Sequence, residues 1–223
     1  MAYTHSKSLD NSSLWNSTAV AVTNFHLERG LSTFDVRDRF VTSYTYDLPF
    51  GKGQRFGGNA NMIVDTLFGG WQTNGIVSIQ GGNPLDSSTG LQLSGTQTGT
   101  RPDLTCNPND FTHDPAKWFN TACFSTNFLG RYGTAGRNII TGAPTHNFDT
   151  SLLKKFSLGK FSGDKQMRYL QFRTELFNLF NHPNFDNPNV TVTSATFGKI
   201  TSAGVQDTRA SSRQIQFALR LVF

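Results

Sequence analysis

Charge is scarce in this sequence. Asp, Glu, Lys and Arg make up 16% of its 223 residues, against roughly a quarter in an average soluble domain. Low charge with 13% aromatic residues excludes a disordered polyelectrolyte, whose signature is high net charge and few aromatics. No run of about 18 apolar residues occurs, which excludes a transmembrane helix. No basic segment followed by an apolar run opens the chain, so no signal peptide is expected in it. The net charge is +5, but the basic residues are scattered singly apart from Lys154–Lys155. Without a basic stripe, no nucleic-acid partner is expected. What is abundant is Phe, with 20 copies, and Gly, with 21, set among many Ser, Thr and Asn. That mixture suits strands with one greasy face and one polar face. The length allows one to two domains, or a single all-β unit.

The pattern bears this out most clearly at the C-terminus. In residues 213–223, RQIQFALRLVF, Ile215, Phe217, Leu219, Leu221 and Phe223 fall on one face. Gln214, Gln216, Ala218 and Arg220 fall on the other. Period two is the mark of a strand, because successive Cβ atoms point to opposite sides. Four upstream segments repeat it. Over residues 39–50, Phe40, Thr42, Tyr44, Tyr46 and Leu48 alternate with Arg39, Ser43, Thr45 and Asp47. Over 71–80, Trp71, Thr73, Val77 and Ile79 alternate with Gln72, Asn74, Ser78 and Gln80. Over 147–157, Phe148, Thr150, Leu152 and Phe156 alternate with Asn147, Asp149, Ser151 and Lys155. Over 170–178, Leu170, Phe172, Thr174 and Leu176 alternate with Gln171, Arg173 and Glu175.

Such strands exceed the roughly 5–6 residues usual in soluble sheets and match the length that crosses a bilayer at a tilt near 45°. The connections 81–146 and 180–212 are too long for hairpins of a compact soluble domain. Outer-membrane barrels alternate short periplasmic turns with long extracellular loops. With the C-terminus on the periplasmic side, both long connections fall outside. The connection 51–70 is long for a periplasmic turn, which goes against the pattern. Aromatics near strand ends (Tyr46, Phe50, Trp71, Phe156, Phe177, Phe180, Phe223) are read as interfacial girdles on the apolar face. Arg173, Glu175, Arg220 and Asp47 on the other face suit a wet lumen, since an Arg on the lipid face would cost about 2–4 kcal/mol at the midplane. The expected fold is all-β: an open antiparallel sheet of about five to six long strands, a wall segment of an outer-membrane β-barrel. Residues 1–34 are read as loop, the end of an extracellular segment with a partial strand over 14–25. Residues 35–223 are read as the barrel segment. A secreted soluble β-sandwich binding module is the alternative, since sandwiches alternate too.

Seven segments go further: FDVRDRFVTSYTYDLPFGKG (34–53), LFGGWQTNGIVSIQGGNPL (67–85), WFNTACF (118–124), GTAGRNIITGAPTHNFDTSLLKKF (133–156), LQFRTELFNLFNHPNF (170–185), FGKITSAG (197–204) and RQIQFALRLVF. In this order they resemble the C-terminal barrel portion of TonB-dependent transporters, and more narrowly the Oar-like group common in acidobacteria. Full chains of that group carry an N-terminal carboxypeptidase-regulatory-like domain. The resemblance implies an outer-membrane location and uptake of a nutrient, a glycan or a metal chelate. It implies that Phe217, Leu219, Leu221 and Phe223 form the terminal signal read by the barrel-assembly machinery. The family's barrel of roughly 22 strands encloses a plug. This sequence shows neither plug nor TonB box, so the TonB system is reached only through a plug outside it. The chain is therefore expected to be a C-terminal fragment, inactive alone or a gene remnant. Five or six strands cannot close a barrel whose smallest form has about 8.

Little in the sequence carries covalent chemistry. Cys106 and Cys123 would form a disulfide in an oxidising compartment and remain two thiols in the cytoplasm. Without paired CxxC spacing they make no zinc site. No HExxH or GxSxG occurs among the residues, and no enzyme, metal or cofactor is expected. Asp110, His113 and Asp114 are a weak polar cluster, and His182 in Asn-His-Pro-Asn reads as a turn. Residues 51–57, GKGQRFG, lack the ending of a phosphate loop and read as a turn with no helix to follow. Arg131, Arg137 and Asn138 lie where they would contact ligand at the base of the long loop, or bond the loop to the barrel.

Overall fold

Alternating side chains become a ladder when each strand finds a neighbour in matching phase. In the computed structural model, which describes residues 1–13, 24–59, 61–93, 100–159, 168–204 and 212–223, six strands do so. They are β1 (Ala2–His5), β2 (Asp38–Asp47), β3 (Trp71–Gln80), β4 (Thr145–Gly159), β5 (Arg168–Phe177) and β6 (Gln214–Val222). They form one antiparallel sheet in chain order, open at β1 and β6. The α-helix α1 (Met62–Phe68) sits in the connection from β2 to β3.

Register carries the two faces across the whole wall. Thr45, Asn74, Ser151, Glu175 and Gln216 are successive partners on one face. One step along, Tyr46, Thr73, Leu152, Thr174 and Phe217 are successive partners on the other. A slip of one residue would exchange the faces of every strand it touched. On the apolar face Trp71 and Phe217 each meet Phe172, with ring centroids 6.1 and 6.3 Å apart. At Gly75 the neighbouring Tyr44 fills the missing side chain's place and its hydroxyl meets that of Thr150 at 2.8 Å. A Cβ at Gly75 would stand 2.5 Å from the Asp149 carbonyl oxygen and 2.8 Å from the Tyr44 hydroxyl, so this position requires glycine.

Toward β6 the apolar face is bare. Phe217 is 71% exposed and Leu219 69%, and among the described residues no second sheet lies over them. Among the described residues this arrangement is not a sandwich, whose two inner faces cover one another.

Three further expectations change. The wall starts inside the segment read as loop, because Ala2–His5 pairs with Asp38–Val41; the partial strand expected over 14–25 falls on residues 14–23, which lie outside the described residues, and on Phe25 at the start of a short 3-10 turn. Phe177 belongs to the polar face, because it pairs with Gln214 and lies two residues from Glu175. A helix does follow residues 51–57, although Gly57 is well short of its N-cap at Asn61.

The buried core lies outside the sheet. Trp118, Phe119, Cys123, Phe124, Ile140 and Ala143 form it, with Phe185, Val190, Val192 and Phe197 packed on it. These residues come from the two long connections at the end of the wall away from the C-terminus. Phe119, Phe124 and Phe197 make a triangle of edge-to-face rings, with centroids 5.2–5.7 Å apart. Short ladders, Pro84–Leu85 with Ile140–Thr141 and Asp103–Leu104 with Phe124–Ser125, tie the first connection to itself. Backbone bonds from Trp118 to Gly198 (2.7 Å) and from Val192 to Ser88 (2.8 Å) tie it to the second. The connections are thus one folded cap.

Candidate functional site

The cap and the polar face beneath it hold the residues that the sequence singled out. The cap draws on the described residues of three segments, 6–37, 81–144 and 178–213, which all leave the sheet at the same end. A disulfide joins Cys106 to Cys123, the second of these fully buried in the core.

Residues 6–37 are fastened to the cap by buried charge. Arg101 donates from Nη2 to Glu28 Oε2 at 2.5 Å and from Nη1 to the Leu27 carbonyl at 2.6 Å. Its Nε lies 3.4 Å from Asp86 Oδ2. The Arg101 and Glu28 side chains are only 6% and 4% exposed. Arg137 donates to the Asp10 carboxylate, to the Asp10 carbonyl at 3.0 Å and to Ser13 Oγ at 2.6 Å. Asn138 donates from Nδ2 to the Leu31 carbonyl at 2.5 Å. Asn138 has φ 54°, a left-handed conformation that Asn tolerates better than most residues. The polar heads of Arg137 and Asn138 are therefore turned into the joint between segments. Of the two roles read for them, these bonds are of the structural kind, made to residues 10–31 rather than to the barrel strands, and both residues also line the open cleft at this joint. Arg131 is half exposed and pairs with Asp103 at the cap's edge.

Two carboxylates in this joint are displaced in opposite directions. Burial pushes Asp86 above the usual carboxylate range, and Arg101 only partly offsets it. At Asp10 burial pulls upward, but bonds from Ser32, Arg137 and Ser13 outweigh it and hold the carboxyl below that range.

An open cleft of about 690 Å³ runs along this joint, between Arg29–Leu31 and the disulfide-bearing stretch Leu104–Pro108. Arg29 is exposed at its margin. The cleft was not legible in the sequence, since its two walls are some seventy residues apart.

Below the cap, Arg173, Glu175 and Arg220 share the polar face, where Arg173 and Glu175 are ion-paired. Phe217, Leu219 and Leu221 line the apolar side of β6, an open edge, and Phe223 follows at its end. His182 lies in a turn closed by Asn178, which accepts from the His182 N–H at 3.0 Å and donates to its carbonyl at 2.8 Å. His113 meets Trp118 edge to face, with ring centroids 5.0 Å apart. Among the described residues no three His, Cys, Asp or Glu side chains converge as metal ligands, Asp110, His113 and Asp114 included.

No curated protein and no solved structure matches this chain. Residues 1–216 match the family described as an outer membrane beta barrel domain. An amphipathic sheet with a bare apolar face, a polar face and its long connections gathered at one end is the form that such a domain's wall takes. The chain belongs to the outer membrane beta-barrel domain family.

Proposed function

We propose that this chain supplies wall and outer cap to a TonB-dependent transporter that carries a nutrient, of the glycan or metal-chelate class, across the outer membrane. The observation that carries the reading is the pairing of a polar wall bearing Arg173, Glu175 and Arg220 with a folded cap at one end of it. The order of the seven family-like segments supports it. The two open edges must be paired by further strands, because unpaired N–H and C=O groups in hydrocarbon cost several kcal/mol each. The plug that engages TonB lies outside these residues. Membrane lipid covers the apolar face, and the assembly machinery reads β6 through Phe217, Leu219, Leu221 and Phe223. No catalysis is assigned to the chain, and nucleic acid is not among its partners.

Two measurements test this. On intact cells, protease should cut the cap between residues 81 and 144, and reach residues 48–70 only after the outer membrane is opened. The reverse order overturns the orientation. Deleting the gene should abolish uptake of one nutrient from a panel of glycans and metal chelates, and deleting TonB should abolish the same uptake. Uptake that survives loss of TonB overturns the transporter reading while leaving the barrel intact.

A further inference from the structure

The connection from β2 to β3 lies at the C-terminal end of the wall, where a bare turn would suffice. Instead it folds back over the apolar face. Trp71 Nε1, from that face, donates to the Leu67 carbonyl at 2.9 Å. The Lys154 ammonium, projecting from the same face, donates to the Gly69 carbonyl. The two donors satisfy carbonyls at the end of α1 that have no partner within the helix, and a cation there also suits the helix dipole. Lys154 further lies over the rings of Trp71 and Phe156, at 5.6 and 5.2 Å. A lysine on a lipid-facing strand is costly when bare, and here the connection covers it. Gly51 (φ 118°) and Gly69 meet back to back. A Cβ on Gly51 would stand 2.6 Å from the Gly69 Cα, so the two ends of the connection close only through glycine.

The polar groups of α1 are spent inside the connection. Asn61 accepts from the Val64 N–H at 2.9 Å, Asp65 accepts from the Lys52 N–H at 2.5 Å, and Thr66 donates to the Met62 carbonyl at 2.7 Å. The rest of the helix is apolar, and it faces outward. Met62 is 84% exposed, and Ile63, Leu67 and Phe68 are each more than half exposed. Between α1 and the wall runs an apolar groove of about 440 Å³, lined by Leu48, Phe50, Val64, Phe68, Trp71 and Leu152. Trp71 and Leu152 are members of the apolar face, so the groove is continuous with the surface that lipid covers. Lys52 and Arg55 are exposed beside it, where long basic side chains can reach headgroup phosphates from an apolar seat.

We propose that α1 is an interfacial anchor: it lies in the phospholipid leaflet at the C-terminal end of the wall, its groove takes an acyl chain, and Lys52 and Arg55 hold the headgroup phosphate. The proposal rests on the wall lying in a membrane. Its occupant is phospholipid because the groove opens onto the lipid-facing side and carries cations at its margin.

The protein holds no free thiol, so single cysteines report position. Ile63→Cys and Leu67→Cys, bimane-labelled in protein of natural length reconstituted into phospholipid vesicles, should be quenched by lipids bearing a nitroxide near the headgroup. That quenching should exceed quenching by aqueous iodide about threefold or more. Phe217→Cys serves as the lipid reference and Phe128→Cys, in the cap, as the water reference. Iodide quenching at 63 and 67 equal to that at 128 overturns the proposal. So does quenching by neither agent, which would mean that protein covers the helix, either a partner or a second copy. Loss of lipid quenching at 217 as well would take down the membrane reading itself, a result distinct from failure at 63 alone. Lys52→Gln with Arg55→Gln should erase any excess of lipid quenching at 63 in vesicles with phosphatidylglycerol over phosphatidylcholine alone. An excess that persists in the double variant removes the phosphate contact from the proposal.

Discussion

Replacing Arg101 by Ala should detach residues 6–37 from the cap. The guanidinium is 6% exposed and serves Glu28, the Leu27 carbonyl and Asp86 together. Its removal leaves the Glu28 carboxylate without this cation in a site where that side chain is 4% exposed. Breaking one side of a buried ion pair costs about 3–5 kcal/mol, most of it the cost of the charge left behind. At about 1.4 kcal/mol per factor of ten, the open form of this segment should rise by about two to three and a half orders of magnitude. Hydrogen exchange reads that directly at the Ser32 amide, which donates to the Ser8 carbonyl at 3.0 Å and holds the segment's two arms together. Its exchange should accelerate at least about a hundredfold, while amides of β4 and β5 keep their protection. The reasoning also fixes the sign of a rescue. Arg101→Met combined with Glu28→Leu removes both charges and keeps the volume, and should restore most of the protection. A single variant whose Ser32 exchange changes by less than about threefold (0.6 kcal/mol) refutes the assignment of this pair as the clasp. A double variant as loose as the single would refute the buried Glu28 charge as the cause.

The same cap supports three shorter predictions. Cys106→Ser with Cys123→Ser opens a loop of sequence separation 17 and should lower the cap's stability by about 3 kcal/mol in the chain-entropy model, measured as faster proteolysis within residues 81–144 at unchanged barrel migration on gels. Phe119→Ala empties the centre of the ring triangle at a fully buried site and should cost about 3–5 kcal/mol; near-ultraviolet dichroism should fall while the strand signal in the far ultraviolet holds. Acid should release residues 6–37. Asp10 is held below the usual carboxylate range, so its contribution is complete above that range and is lost as pH falls through its lowered value. Asp86 is raised by burial and acts with opposite sign, gaining stability as pH falls through its own higher value. The Ser32 amide should thus hold or tighten on mild acidification and open only below about pH 4; an amide that opens steadily from neutrality downward counts against this ordering.

How far the sequence discloses this structure depends on how local the determining pattern is. The five long strands are legible because each carries its own two-residue period, and their observed bounds differ from the expected ones by three residues or fewer. β1 is illegible for the opposite reason. Four residues, AYTH, hold no period, and the strand exists because Asp38–Val41 offers an edge. Tyr3 and His5 then both bond the Asp38 carboxylate at 2.7 Å. Phe177 shows how a girdle argument based on proximity to a strand end fails: parity, not position, decides the face. The cap's core is the largest thing not foreseen. Phe119 and Phe197 meet across almost eighty residues, and no periodicity marks either one. The GRN segment at 136–138 was legible as polar and important, but its partners at Asp10, Ser13 and Leu31 were not, because they lie over a hundred residues upstream.

The distribution of charge separates the parts of this molecule by what each part must do. Along the middle of the wall Arg173, Glu175 and Arg220 lie on the polar face, where water can solvate them and where their removal should cost little stability. The cap does the reverse and buries Arg101, Glu28, Arg137 and Asn138 at a joint between segments distant in sequence. A buried ion pair adds less stability than an apolar contact of equal size, so the joint is better understood as selecting which segments meet. Residues 6–37 must dock on one site of the cap among many polar alternatives, and a desolvated Arg accepts only a carboxylate placed to meet it. Lys154 is the third case, a cation on the lipid side, and it is the one whose partners are ring faces and a helix-end carbonyl. Each location admits charge only with the partners that its surroundings require. By the same logic the connection over Lys154 belongs to the wall: without α1 and Gly69, that lysine would face hydrocarbon with nothing but two aromatic rings to receive it.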